Sequence, residues 1–181
     1  CLSRGLGDVY KRQPHGVEEA AVERCFALFK EQYGKRMCCK TRPYSGILPL
    51  LEALREAGVQ YAVVSNKYDG AVKQLSDTQF GGLMKVAIGE RVGVRRKPAP
   101  DSVLEALRLL GSGVEGAIYA GDSDVDVQTA HNAGLPCIGV TWGFRSKGVL
   151  EEAGADFLVD TPEQLLSLIP ISEPTRQAEI S

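Results

Sequence analysis

The stretch that decides the fold is Ala117-Ile118-Tyr119-Ala120-Gly121-Asp122-Ser123-Asp124-Val125-Asp126. An apolar run of strand length, Ala117–Ala120, ends at a glycine, and three carboxylates follow within five residues. Beyond them, Asp124–Ala133 reads as a helix that stops at Gly134. A buried strand that turns straight into a helix opens a βαβ unit. Three like charges at such a corner repel, and a hard divalent cation such as Mg²⁺ offsets the repulsion. Asp122 and Asp126 are therefore the candidate metal ligands. The alternative is that they are capping and first-turn acids, which favour a helix N-terminus without any metal. The apolar strand before Asp122 and the tight turn that Gly121 permits weigh against it. Asp124 reads as an exposed cap residue.

The same alternation extends in both directions. Val22, Cys25, Phe26, Phe29 and Tyr33 keep helical spacing, and Gly34 is a natural stop. Met37–Arg42 reads as a polar, basic linker. Ile47, Leu50, Leu51 and Leu54 make the next helix, with Pro49 in its first turn and Gly58 at its end. Strands are expected at Tyr61–Val64, Met84–Ile88, Pro136–Val140 and Asp156–Val159. Helices are expected at Asp69–Leu75, Ser102–Leu110, Lys147–Ala153 and Pro162–Leu166. The second of these helices, Ser102–Leu110, opens with a capping box, Ser102-x-x-Glu105, and closes at Gly111. Strands alternating with helices predict an α/β fold: a Rossmann-like parallel sheet with helices on both faces.

Composition excludes several function classes. Hydrophobic residues make up 44% and charged residues 24%, as in ordinary globular domains, and the formal net charge is −2. Nothing in that balance points to nucleic acid or to an anionic membrane surface. No apolar run is long enough to span a bilayer. Cys1, Cys25, Cys38, Cys39 and Cys137 form no C-x-x-C pair and no regular framework, which fits reduced thiols and a cytoplasmic location. Cys38-Cys39 reads as two small apolar residues near a helix end. His15 and His131 have no partner pattern and read as structural or surface residues. Glu90-Arg91 reads as a surface ion pair.

In an open parallel sheet, function collects beyond the carboxyl ends of the strands. Ser65-Asn66, Lys97-Pro98 and Asp122 all fall there. A hydroxyl with nearby backbone amides, a fixed ammonium and a carboxylate metal site make a phosphate-binding set. Ser65 and Lys97 are the candidate catalytic residues; Ser65, Asn66 and Lys97 are the candidate phosphate ligands. Taken singly, Ser65 is a common strand-end hydroxyl, Lys97 a solvated loop charge and Asn66 a turn residue. Gly143, Phe144 and Arg145 follow a strand and could line the cleft, but core packing for Phe144 and solvent exposure for Arg145 are the expected states.

Four strings together resemble one family. VVSNK at Val63–Lys67, RRKPAPD at Arg95–Asp101, GDSDVD at Gly121–Asp126 and PYSGI at Pro43–Ile47 occur in the order and spacing of the haloacid-dehalogenase-superfamily phosphatases, phosphoglycolate phosphatase type. The resemblance runs from Pro14 to about Leu165. It implies that Ser65 binds the phosphoryl group, Lys97 stabilises its charge, Asp122 ligates Mg²⁺, and Asp126 is a second ligand or lies behind the first. It implies a small phosphorylated metabolite as substrate. It also implies a first motif, Asp-x-Asp-Gly-Thr, on a strand lying mid-sheet beside the strands that end at Ser65 and Asp122. That motif does not occur in this sequence. Its first aspartate would attack phosphorus and its second would transfer a proton, so the chain is expected to be inactive. Only the last helix of the family's helical cap, about Val17–Tyr33, is expected, and with the cap goes most of substrate selection. Sister activities of the family remain open (pyrophosphatase, phosphonatase, sugar-phosphate mutase), as do a non-catalytic Mg²⁺- or phosphate-binding fragment and a natural pseudoenzyme.

The two ends read differently from the middle. Leu2–Gln13, LSRGLGDVYKRQ, can be encoded by DNA whose reverse complement translates as LSLIHISEPTRQ. Leu166–Gln177 reads LSLIPISEPTRQ and matches it at eleven of twelve positions. That DNA resembles a transposon adapter used in sequencing libraries. The expected organisation is an adapter-derived segment at 1–13, a cap remnant at 14–44, a core at 45–165 and an adapter-derived tail at 166–181.

Overall fold

The computed structural model describes residues 19–36 and 41–169. The adapter-like segment at 1–13, His15, the Cys38-Cys39 pair and the end of the tail lie outside them. The elements run α1 (Glu19–Arg36), α2 (Ile47–Glu56), β1 (Ala62–Tyr68), α3 (Asp69–Phe80), β2 (Val86–Glu90), α4 (Asp101–Leu110), β3 (Tyr119–Gly121), α5 (Asp124–Asn132), β4 (Cys137–Val140), α6 (Lys147–Glu152), β5 (Phe157–Val159) and α7 (Pro162–Leu168).

All paired strands are parallel, and the alternation of strand and helix gives the α/β fold expected. The ladders are two rather than one: β1 pairs with β2, and β3, β4 and β5 pair in that order. Among the described residues no ladder joins β1 to β3.

β4 is the centre of the molecule. All four of its residues are buried, as a strand covered on both faces requires. Alternation sends Cys137 into one cluster, with Val103, Val127, Ala130, Leu135 and Leu150, and sends Ile138 and Val140 into another, with Leu50, Leu54, Val159 and Leu165. Helices α4, α5 and α6 thus cover one face, and α2 and α7 the other. Burial also pushes the Cys137 thiol up to about 12, with smaller contributions from the charges of Asp126 and Asp156.

Local signals explain most boundaries. Leu50, Leu51 and Leu54 make the buried stripe of α2, Pro49 sits in its first turn, and Gly58 closes it at φ 72 while the Val59 N–H bonds back to Leu54 O at 2.9 Å. Several expectations need correction. α1 passes through Gly34 to Arg36, since a lone glycine costs a helix only about 1 kcal/mol. α3 runs to Phe80, five residues past the expected end, and stops at Gly81 in the left-handed conformation. The capping box is not formed. Pro100 is the cap residue of α4, Ser102 lies buried inside the first turn, and the Glu105 carboxylate goes to Arg91 instead. α7 extends to Leu168, and Leu166 packs against the α2 face of the core.

Candidate active site

The site begins with an irregularity in β1. Its register to β2 is regular at Ala62↔Val86, Val63↔Ala87 and Val64↔Ile88, then resumes at Tyr68↔Glu90. Four steps on β1 oppose two on β2, so Ser65, Asn66 and Lys67 form a bulge that turns their side chains out of the ladder. The sequence reading ends this strand at Val64; the strand continues, and the bulge does what a loop was expected to do. The Lys67 N–H donates to Ser65 Oγ at 3.1 Å, which leaves the serine's own O–H to donate elsewhere. Gly89 lets the bulge lie this close: a Cβ there would come within 2.5 Å of Lys67 O and 2.4 Å of Asp69 Cα.

Lys97 is held at both ends. Asn66 grips its backbone: the Lys97 N–H donates to Oδ1 at 2.9 Å and Asn66 Nδ2 donates to Lys97 O at 3.1 Å. Asn132, at the end of α5, donates to Pro98 O at 2.9 Å. The ammonium then lies between the two ladders. It donates to Val64 O on β1 at 3.3 Å, to Tyr119 Oη on β3 at 3.2 Å and to Asp126 Oδ1 on α5 at 2.7 Å.

Asp126 is committed to this cluster. Its side chain is 10% exposed and that of Lys97 11%. Tyr119 Oη donates to Asp126 Oδ1 at 3.0 Å, and Ser123 Oγ donates to Oδ2. Burial by itself would raise the Asp126 pKa, but the Lys97 charge and the three donors outweigh it, and the carboxyl is held below its ordinary value. Burial and the same carboxylate push the Tyr119 hydroxyl far up, so it stays a neutral donor.

Gly121, read as permitting a tight turn, is the last residue of β3 and has no positive φ. Its role is room, because a Cβ there would fall 2.3 Å from Asp126 Cβ. The cap of α5 is Ser123, whose Oγ accepts from the Asp126 N–H, and not Asp124. Asp124 lies in the first turn and takes Arg145 Nε at 3.1 Å.

Asp122 stands on the other side of Gly121. The Phe144 N–H donates to its Oδ2 at 2.9 Å, and the Arg145 N–H donates to its backbone O at 3.1 Å. Gly143 packs on its side chain so closely that a Cβ would lie 2.1 Å from Asp122 Cβ. Phe144 is 46% exposed, not in the core, and Arg145 is tied to Asp124 rather than free in solvent. Both expectations fail because the loop after β4 folds back over the carboxyl end of β3, where Asp122 needs donors. The expected Glu90–Arg91 pair is also absent: Glu90 pairs with Arg96 at 3.2 Å, and Arg91 pairs with Glu105. His131 is a surface residue, as expected, and faces Asp156 Oδ2 at 3.0 Å.

The structure therefore gathers Ser65, Asn66, Lys97, Asp122 and Asp126 at the carboxyl ends of β1 and β3. Sequence reasoning missed Tyr119, Asn132 and the Phe144 N–H. The available signal for Tyr119 was register: it shares a strand face with Gly121, the residue that seats Asp126.

As a Mg²⁺ site the residues fit in part. Among the described residues no hydrogen bond reaches Asp122 Oδ1, whereas both oxygens of Asp126 are occupied. No group of three or more acidic, histidine or cysteine side chains that could hold a metal occurs among them. Mg²⁺ commonly takes one or two carboxylates and fills the rest of its shell with water and substrate oxygens, so a lone Asp122 carboxylate is compatible with it.

The chain belongs to the haloacid dehalogenase-like hydrolase family, whose model matches residues 10–140. Within it, the chain is similar to phosphoglycolate phosphatases. It is 31% identical over 148 residues to that of Aquifex aeolicus, covering 81% of this chain and 68% of that protein. It is 30% identical over 151 residues to that of Pseudomonas putida, covering 83% and 55%. The fold is similar to the crystal structure of a protein described as a phosphoglycolate phosphatase from Lactobacillus delbrueckii, at 42% identity and TM-score 0.79, over 90% of this chain and 67% of that one. The chain thus spans roughly half to two thirds of the length of the curated relatives it matches.

Proposed function

We propose that this chain carries the phosphate- and Mg²⁺-binding part of a phosphatase for a small phosphomonoester of the phosphoglycolate kind. The observation that carries the reading is Lys97. A lysine ammonium, nearly buried, is aimed between a bulged strand end bearing Ser65 and a helix start bearing two aspartates. Support comes from the phosphoglycolate phosphatases above and from the phosphate complex of CbbY from Rhodobacter sphaeroides, 27% identical with TM-score 0.73 over 88% of this chain.

In this reading the Ser65 hydroxyl and the amides of the bulge bind phosphoryl oxygens. Lys97 offsets their charge, and Asp126 with Tyr119 keeps the ammonium in place. Asp122 would hold Mg²⁺, which supplies charge neutralisation at the phosphoryl group. A phosphatase of this family that carries the motif transfers the phosphoryl group to an aspartate and then to water. This sequence contains no Asp-x-Asp-Gly-Thr, and without the carboxylate nucleophile no aspartyl-phosphate forms. We assign that nucleophile to a strand between β1 and β3, where among the described residues no ladder joins the two. α1 belongs, in the same reading, to the cap, and the protein works in the cytoplasm.

Calorimetric titration with Mg²⁺ and with inorganic phosphate tests the site. Phosphate binding that Mg²⁺ strengthens is expected, with Mg²⁺ binding lost in Asp122→Asn and phosphate binding weakened but still measurable in Lys97→Met. Absence of both in the unmodified chain would sink the site. Mg²⁺-dependent turnover of phosphoglycolate by a sample free of host enzyme would sink the assignment of inactivity.

A further inference from the structure

We infer that Asn66 is the positioning residue for Lys97 and not a ligand of phosphate. The inference rests on Lys97 being the phosphate cation.

Both ends of the Asn66 carboxamide are spent on one residue. Oδ1 accepts the Lys97 N–H and Nδ2 donates to the Lys97 carbonyl, at 2.9 and 3.1 Å. A side chain here supplies the pair of bonds that a neighbouring strand would give, across 31 residues of sequence. No ladder reaches the stretch from Arg91 to Pro100. Its other backbone ties are short-range, Val94 N–H to Arg91 O, Ala99 N–H to Arg96 O and Arg95 N–H to Asp101 Oδ2, and its arginines pair with Glu105, Asp101 and Glu90. Asn132 holds the next residue, at Pro98 O.

The grip matters because of what Lys97 must reach. Its ammonium meets Val64 O, Tyr119 Oη and Asp126 Oδ1 at once, on three different elements. A lysine stem carries about 2 kcal/mol of rotamer entropy, so its head stays at such a point only when the backbone beneath it is fixed. The bulge in β1 turns Asn66 out of the ladder and toward that backbone. Asparagine suits the task chemically, since it offers an acceptor and a donor on one short, rigid head. Aspartate keeps the acceptor and loses the donor; alanine loses both.

The experiment uses Asn66→Ala, Asn66→Asp and Lys97→Met, with the double variant Asn66→Ala/Lys97→Met. Amide hydrogen exchange in the ligand-free protein reads the grip directly. Exchange at the Lys97 amide should speed up about tenfold in Asn66→Ala and by less in Asn66→Asp, while Leu158 in the β4–β5 ladder keeps its rate. Inorganic phosphate affinity reads the consequence. Asn66→Ala should lower it when Lys97 is present and lower it no further in Lys97→Met. An unchanged Lys97 exchange rate overturns the inference. So does an equal loss of phosphate affinity in the Lys97→Met background, which would make Asn66 a direct ligand. Should Lys97→Met bind phosphate as well as the unmodified chain, the reading of Lys97 falls, while the exchange rates still decide the grip. Should Asn66→Ala fail to fold, Asn66→Asp carries both comparisons.

Discussion

The β3–β4–β5 ladder and the β1–β2 ladder are made from the same strand–helix repeats, yet they are held differently. In the first, β4 is buried end to end between two apolar clusters, with Ile138 and Cys137 fully enclosed. In the second, no residue of β1 is buried, and β2 buries only Ile88 and Gly89. The site straddles the two. Asp122 and Asp126 follow β3, a half-exposed edge strand whose neighbour β4 is enclosed; Ser65 and Asn66 lie in the half-exposed β1; and Lys97 ties them together. The difference teaches that the Asp122 and Asp126 side stands beside a fully packed strand, while the Ser65 and Asn66 side stands on a half-exposed pair. Polar side-chain ties set the local geometry on both sides.

The contrast can be broken by truncating each ladder in turn. Ile138→Ala should cost about 4 kcal/mol in urea unfolding, because its site lies between tightly packed layers that cannot close over the hole. Val63→Ala on half-buried β1 should cost about 1 kcal/mol. Equal losses would show that the two ladders are equally enclosed. The next largest effect falls on the link between them. Lys97→Met leaves the Asp126 carboxylate buried without its counter-ion and should cost about 3 kcal/mol. Adding Asp126→Asn to Lys97→Met should recover part of that loss. If the double variant is no more stable than Lys97→Met alone, the pair is not the tie between the ladders.

The same contrast explains what was legible in the sequence. The enclosed half announces itself: the apolar strand Pro136–Val140, a helix from Asp124 closed at Gly134, and a carboxylate at a strand end are all short-range patterns, although the cap is Ser123 and not Asp124 as read. Lys97 and Asp122 were found from their places beyond the strand ends and from the family resemblance of RRKPAPD and GDSDVD. The ties were not found, since each joins residues far apart in sequence. Asn66 to Lys97 spans 31 residues, Asn132 to Pro98 spans 34, and Phe144 to Asp122 spans 22. The capping box failed for a related reason. Ser102-x-x-Glu105 is a sound local pattern, but Arg91 is a stronger partner for Glu105 than a backbone N–H, and it comes from another part of the chain. Gly121 was read as a turn former and Gly143 as a residue that could line the cleft, whereas each is small so that an aspartate side chain can lie against it.

That last point gives a sharper comparison between two glycines five residues apart. Gly143→Ala must move Asp122, since the new methyl would fall 2.1 Å from its Cβ and 2.5 Å from Oδ2. A loss of about 1–3 kcal/mol is expected, with Mg²⁺ binding weakened in the same titration used for Asp122→Asn. Gly148 lies inside α6 with nothing within 4 Å of a built Cβ. Gly148→Ala should stabilise by about 0.5–1 kcal/mol and leave Mg²⁺ binding alone. If the two substitutions behave alike, the loop after β4 does not seat Asp122.

The smallest effect concerns a polar tie inside the enclosed ladder, where packing should make it nearly dispensable. Asp156 Oδ2 accepts the Cys137 N–H at 2.8 Å and faces His131 Nε2 at 3.0 Å. The bond from Cys137, then the one from His131, holds the carboxyl below its ordinary value. A carboxyl whose pKa is lowered by folding contributes its stability above the unfolded value of about 3.9 and loses it as pH falls through the lower native value. The His131–Asp156 pair is well exposed, so solvent screens it and the contribution is small. Asp156→Asn should therefore lower the urea midpoint slightly at pH 6, and the gap to the unmodified chain should close between about pH 4 and pH 2. A gap that stays constant across that range would mean that Asp156 acts through shape and not through charge. A gap as large as that of Lys97→Met would mean that polar ties, and not packing, hold this ladder as well.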